Sequence, residues 1–116
     1  MTLDTKSLVI ATAIGTVLQV AMVVAGHSNS GVARLFAVGG MGLSLVAGLI
    51  YAWRAHPAAM SDAVAGGTIA GAACALLGIL VSFLLGDVPA TLLALGTISS
   101  AVTGAVGGAI GRAIGR

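Results

Sequence analysis

One stretch of the sequence decides the fold: residues 90–111 read ATLLALGTISSAVTGAVGGAIG. This stretch contains no charged residue and no histidine. At about 1.5 Å per residue, a helix of this length is about 30 Å long, which matches the hydrocarbon core of a bilayer. The stretch therefore predicts a helix that crosses a membrane.

Three further blocks have the same character and comparable length, namely residues 8–26, 35–53 and 64–85. Hydrophobic residues make up 59% of the 116-residue chain and charged residues 7%, whereas a soluble domain carries about 25% charged residues. Strands of a membrane barrel would alternate polar and apolar residues, and these blocks do not. The sequence predicts an all-α integral membrane protein with four transmembrane helices.

The connections between the blocks are short and rich in turn-forming residues, so residues 1–116 are expected to form a single membrane domain. Short connections favour a compact antiparallel up-down bundle. A cleaved signal peptide is the alternative for the first block, because Lys6 precedes it and small or aliphatic residues, Val23 and Ala25, lie near its end. The length of its apolar run argues against cleavage.

Positive charges predict the orientation. If the chain crosses the membrane four times, most of its positive charges lie on the side that holds both termini. These are Lys6, Arg54, Arg112 and Arg116, and only Arg34 lies on the other side. Positively charged flanks stay in the cytoplasm, so both termini are predicted to be cytoplasmic in a bacterial inner membrane. Tyr51 and Trp53 are expected at the level of the lipid headgroups.

The three aspartates, Asp4, Asp62 and Asp87, each precede a predicted helix. A carboxylate at that position accepts hydrogen bonds from unpaired backbone N–H groups, so we interpret all three as helix caps. An alternative for Asp87 is that it attracts a cation at the mouth of a pathway.

Small residues recur every fourth position in the predicted helices. Such rows are typical of faces where two helix backbones approach closely in lipid. The residues predicted to form these packing faces are Gly96, Ser100, Gly104, Gly108, Gly67, Gly71, Gly40, Ser44 and Gly48. The rows could pack within one bundle or between subunits. A phosphate-binding loop is disfavoured, because an apolar span precedes the glycines and no Lys-Ser or Lys-Thr follows them.

Gln19 is the most polar side chain within a predicted span, and Thr12 and Thr16 lie on the same side of that helix. We expect Gln19 to hydrogen-bond to a neighbouring helix, because an unpaired amide in lipid is unfavourable. The alternative is a narrow neutral pathway lined also by Thr68, Ser82, Thr97, Ser99, Ser100 and Thr103.

Reactive groups are scarce in the sequence. His27 and His56 follow successive spans and are therefore predicted on opposite faces of the membrane, and Cys74 is the single cysteine. We predict no catalytic residues, no metal site, no cofactor and no nucleic-acid partner. A proton-coupled carrier is disfavoured as well, because no predicted span contains an ionisable carboxylate, lysine, arginine or histidine.

These observations favour a non-enzymatic accessory, assembly or scaffolding subunit that acts through helix–helix contacts, with the lipid bilayer and a homo-oligomer or another membrane subunit as partners. The alternative is a small homo-oligomeric channel or facilitator for a neutral or weakly charged solute, with glycine-rich helices at the subunit seams. A membrane-permeabilising lysis protein is a third hypothesis.

Overall fold

All four charge-free blocks form helices. The computed structural model describes residues 3–28, 31 and 36–115. The helices are α1 (Thr5–Ser28), α2 (Phe36–Ala55), α3 (Met60–Leu84) and α4 (Thr91–Ile114). Each is long and apolar enough to cross a membrane. The expectation of an all-helical chain with four candidate spans is therefore confirmed across the described ranges.

The helices extend beyond the charge-free blocks and take charged residues into their terminal turns. Asp62 lies in the first turn of α3, and Arg54 and Arg112 lie in the last turns of α2 and α4. These positions are favourable, because a helix N-terminus carries partial positive charge and a C-terminus partial negative charge. Arg34, Arg116 and the predicted helix start at Leu35 lie outside the described residues.

The four helices pack into one bundle. Helices α1 and α4 each contact both α2 and α3, and α2 also contacts α3, so α1 and α4 occupy opposite corners. The bundle measures 42 × 21 × 20 Å with a radius of gyration of 13.6 Å, close to the roughly 13 Å of a compact domain of this length.

Small side chains fill the interior, and large apolar side chains cover the outside. The buried cluster is mostly alanine, and Tyr51 is its largest member: Ala11, Ala47, Tyr51, Ala52, Ala63, Ala70 and Cys74. In contrast, Val17 is 68% exposed, Leu84 74% and Ile98 64%. Soluble proteins bury Leu, Ile and Val, so this distribution is the reverse of the usual one.

A glycine ends α3. Gly86 has a φ of +80°, and its N–H donates to the Phe83 carbonyl while the Asp87 N–H donates to the Ser82 carbonyl. This is the Schellman pattern, in which the left-handed residue is usually glycine because it has no Cβ. The turn directs the chain from α3 into α4.

Candidate functional site

A close backbone contact joins α3 to α4 through Gly67, Gly71, Gly104 and Gly108, which we call the glycine seam. A Cβ on Gly71 would lie 2.8 Å from the Gly104 Cα and 2.8 Å from the Ser100 carbonyl oxygen. A Cβ on Gly104 would overlap the Gly67 carbonyl oxygen. The neighbouring atoms are backbone and cannot rotate away, so the seam requires glycine at these positions.

A second glycine face of α4 packs against α2. Gly48 faces the Gly104 carbonyl, and a Cβ on Gly107 would lie 2.8 Å from the Leu45 carbonyl carbon. A Cβ on Gly111 would likewise overlap the Leu49 carbonyl oxygen. Gly107 and Gly111 were not among the predicted packing residues, although their four-residue spacing is visible in the sequence. Helix α4 therefore presents glycine to two neighbours within one chain.

Other predicted packing residues have different surroundings. A Cβ on Gly40 would be at an ordinary 3.5 Å from the Gln19 Oε1, and a Cβ on Gly96 would meet only side chains, chiefly the Ile79 Cδ1 atom at 2.5 Å. Neither glycine brings two backbones together. Ser44 is fully buried and acts as a hydrogen-bonding group.

Gln19 connects three helices. It is 2% exposed, and its Nε2 donates to the Gly40 carbonyl oxygen at 3.0 Å and to the Ser44 Oγ at 3.2 Å. The Ser44 hydroxyl in turn donates to the Gly71 carbonyl oxygen at 3.2 Å. The Cys74 Sγ lies 3.9 Å from both the Gln19 Nε2 and the Ser44 Oγ. We call Gln19, Ser44 and Cys74 the polar cluster.

Several hydroxyls of the predicted pathway bond within their own helix. Thr68 donates to the Val64 carbonyl at 2.7 Å, Ser99 to the Leu95 carbonyl at 2.9 Å, and Thr103 to the Ser100 carbonyl at 3.1 Å. This is the usual behaviour of Ser and Thr in apolar helices. Thr12 and Thr16 are half-buried on α1.

Three buried hydroxyl oxygens find no hydrogen-bond partner among the residues that the structure describes. They belong to Thr16, Ser82 and Thr97. Ser82 is 1% exposed and lines a cavity of about 160 Å³. Residues from all four helices form the wall of this cavity. Gln19 of the polar cluster, Ser99 and Ser100 also line this cavity, and the other described residues that line it are apolar side chains and glycines.

The aspartates occupy three different environments. Asp4 precedes α1, and its Oδ2 accepts a hydrogen bond of 2.7 Å from the Ser7 hydroxyl while its Oδ1 faces the Ser7 N–H at 3.4 Å. The Ser7 hydroxyl, followed by the Ser7 N–H, holds the pKa of Asp4 below its ordinary value, because both bonds favour the carboxylate.

Asp62 and Asp87, which were predicted to cap α3 and α4, do not occupy the N-cap positions of these helices. The residues at the N-cap positions of α3 and α4 are Ala59 and Ala90, whose side chains make no cap hydrogen bond. Helix α3 begins earlier than its apolar block, which places Asp62 inside the first turn, and α4 begins only after Asp87. The Asp87 carboxylate instead contacts the His27 Nδ1 at 2.9 and 3.1 Å.

Tyr51 is also placed differently from the prediction. Its side chain is fully buried, its hydroxyl accepts a hydrogen bond of 3.1 Å from the Asp4 N–H, and the absent Cβ of Gly66 leaves room for its ring. Its side chain therefore belongs to the core of the bundle. Trp53, in contrast, is 54% exposed.

The charged residues predicted to set the orientation lie near helix ends. Lys6 and Arg54 are exposed. Arg112 is half-buried, and it donates to the Pro57 carbonyl at 3.2 Å and to the Ala58 carbonyl at 2.7 Å. Arg112 therefore fastens the α2–α3 connection to α4 in addition to carrying charge.

Across residues 3–28, 31 and 36–115, no three His, Cys, Asp or Glu side chains group in a way that could hold a metal ion. The site with the most specific geometry is therefore the polar cluster together with the adjoining cavity. Comparison with known proteins gives no significant match: no family model, no curated protein and no solved structure resembles the chain.

Proposed function

We propose that the chain is a non-enzymatic integral protein of a bacterial cytoplasmic membrane, in which four helices cross the bilayer in alternating directions. The alternation is supported by the contacts between helices. Gly71 lies against Gly104 while Ala63 lies against Gly108, so the numbering of α3 rises as that of α4 falls. The inverted distribution of apolar side chains supports immersion in lipid.

Both termini are proposed to lie in the cytoplasm. In the alternating arrangement Lys6, Arg54 and Arg112 share one end of the bundle, where the Arg112 side chain also holds the α2–α3 connection. Lys and Arg in short flanking segments are retained on the cytoplasmic side.

The proposed role is that of an accessory or assembly subunit that binds a transmembrane helix of another protein. The observation that carries this role is the outer face of α4. This face, which we call the α4 ridge, consists of Ile98, Val102, Val106, Ile110 and Ile114, which are exposed by between 40% and 64%. Its opposite side is held by backbone contacts to α2 and α3.

The side chains of the α4 ridge have restricted conformations even without a partner. Ile and Val have one strongly preferred rotamer in a helix, so they lose little side-chain entropy when another surface covers them. Helix association in lipid depends on van der Waals packing, which a rigid ridge favours. The ridge extends over about 24 Å of the roughly 30 Å hydrocarbon thickness of a bilayer.

Gentle purification from native membranes tests this role. A tagged chain should co-purify with another membrane protein, and the double variant Val102→Phe with Val106→Phe should reduce its recovery at least tenfold. The matched control is Val9→Phe with Val17→Phe on α1, two residues that are 61% and 68% exposed. Equal recovery with both variants, or recovery of the chain alone or only with its own copies, contradicts the proposal.

The alternative of a homo-oligomeric channel placed glycine-rich helices between subunits. The glycine seam and the α2–α4 glycine contacts both lie within one chain, which supports the accessory role over a channel with glycine at its subunit seams. We therefore do not propose a channel built on them.

A further inference from the structure

The cavity between the four helices lies beside the first half of α4, whereas the glycine contacts of α4 lie along its second half. Glycine brings α4 against its neighbours between residues 104 and 111. Nearer the start of α4, larger side chains such as Ile79 and Leu92 line the space between the helices. The resulting space is about 160 Å³, similar to an apolar cavity of about 150 Å³ that accommodates benzene.

The wall of this cavity contains an unused hydrogen-bonding group. Ser99 lines the same space, but its hydroxyl donates to the Leu95 carbonyl of its own helix. The Ser82 hydroxyl makes no such bond, and its oxygen finds no partner in the described part of the chain although the residue is 1% exposed. A buried hydroxyl without a partner is unfavourable, so an occupant that bonds to Ser82 is favoured.

The lining also restricts the charge of the occupant. Among the residues that the structure describes, no Asp, Glu, Lys, Arg or His side chain lines the cavity. A charged occupant would be buried without a counter-charge, which is strongly unfavourable. Met22 and Met41, whose flexible thioethers adapt to different shapes, stand in the wall.

We propose that this cavity binds a small neutral molecule that is mainly apolar and carries one hydroxyl group, of about the size of a phenol. Its apolar body fills the space beside Ile79 and Leu92, and its hydroxyl forms a hydrogen bond with the Ser82 hydroxyl once the Ser82 side chain rotates toward the space. An acyl chain from a lipid would fill the space but leave Ser82 unpaired. The site is separate from the α4 ridge, so the binding does not depend on the proposed partner.

A pair of probes tests the proposal. The full chain in lipid nanodiscs is titrated with 4-fluorophenol and, separately, with fluorobenzene, and fluorine NMR follows binding after subtraction of the signal from empty nanodiscs. We expect saturable binding of 4-fluorophenol, about tenfold tighter than that of fluorobenzene, as one hydrogen bond of ordinary strength implies. The Ser82→Ala variant should remove this preference, and the control Ser99→Ala should retain it.

Three results would overturn the proposal: non-saturable uptake equal to that of empty nanodiscs, equal affinity for the two probes in the unmodified chain, or an unchanged preference in a folded Ser82→Ala variant. Ser82→Ala removes an unpaired group and should fold, which circular dichroism on heating checks. If it does not fold, the comparison of the two probes in the unmodified chain still decides the outcome.

Discussion

The Gln19 side chain links α1 to α2 at the centre of the bundle, because its amide reaches both the Gly40 carbonyl and the Ser44 hydroxyl. Ser44 continues the connection to the Gly71 carbonyl on α3. The sequence indicated that Gln19 needs a partner on another helix. It could not indicate which one, since the partner depends on how α2 is rotated about its axis.

Replacing Gln19 tests the strength of this connection. Gln19→Leu keeps the side-chain volume similar and removes both hydrogen bonds, so we expect the free energy of unfolding to fall by about 1 kcal/mol, the usual size for such bonds between membrane helices. Titration with a denaturing detergent measures the change. The control is Thr68→Val, because the hydroxyl of Thr68 donates to the Val64 carbonyl of the same helix. Equal stability of both variants would show that the polar cluster does not hold the helices together.

At the scale of the helices, the glycine seam determines how closely α3 and α4 approach. Positions that look alike in the sequence differ in what surrounds them. Gly104 faces backbone, Gly96 faces the end of the Ile79 side chain, and Gly42 is exposed with no described atom within 4 Å of an added Cβ. The response to alanine should therefore be graded.

We expect Gly104→Ala to lower the free energy of unfolding by about 1–3 kcal/mol, because backbone must shift to admit the methyl group. Gly96→Ala should have a smaller effect, since Ile79 can change rotamer. Gly42→Ala should be neutral or should stabilise α2 by up to about 1 kcal/mol through helix propensity. Thermal unfolding of the three variants in the same detergent measures the order. A Gly104→Ala variant as stable as Gly42→Ala would exclude a close α3–α4 contact.

The helix ends show why boundaries are harder to predict than spans. Charge-free blocks located the helices, but Asp62 lies within α3 and Asp87 lies in the turn before α4, where it contacts His27. A charged side chain at a terminal turn can reach water or a neighbouring group, so it does not end a helix. Asp4 differs because Ser7 lies at the correct spacing to donate to its carboxylate.

At the scale of the whole molecule, the length and apolar character of the blocks were sufficient to predict four helices. The rows of small residues predicted positions at which α3 and α4 approach a neighbouring backbone closely, including Gly67 and Gly104. They did not predict that α4 uses a second row, with Gly107 and Gly111, against α2. They also did not predict the burial of Tyr51, because the space for its ring comes from Gly66 on a different helix.

The central claim is that the glycine faces of α3 and α4 meet inside a single chain surrounded by lipid. The most direct measurement uses solid-state NMR on protein reconstituted into bilayers. It records the transfer of magnetisation between the Hα protons of Gly71 and those of Gly104. We predict cross-peaks whose intensity per labelled chain persists when labelled protein is diluted with unlabelled protein. Cross-peaks that vanish on dilution would place the contact between subunits, and their absence from undiluted samples would contradict the glycine seam itself.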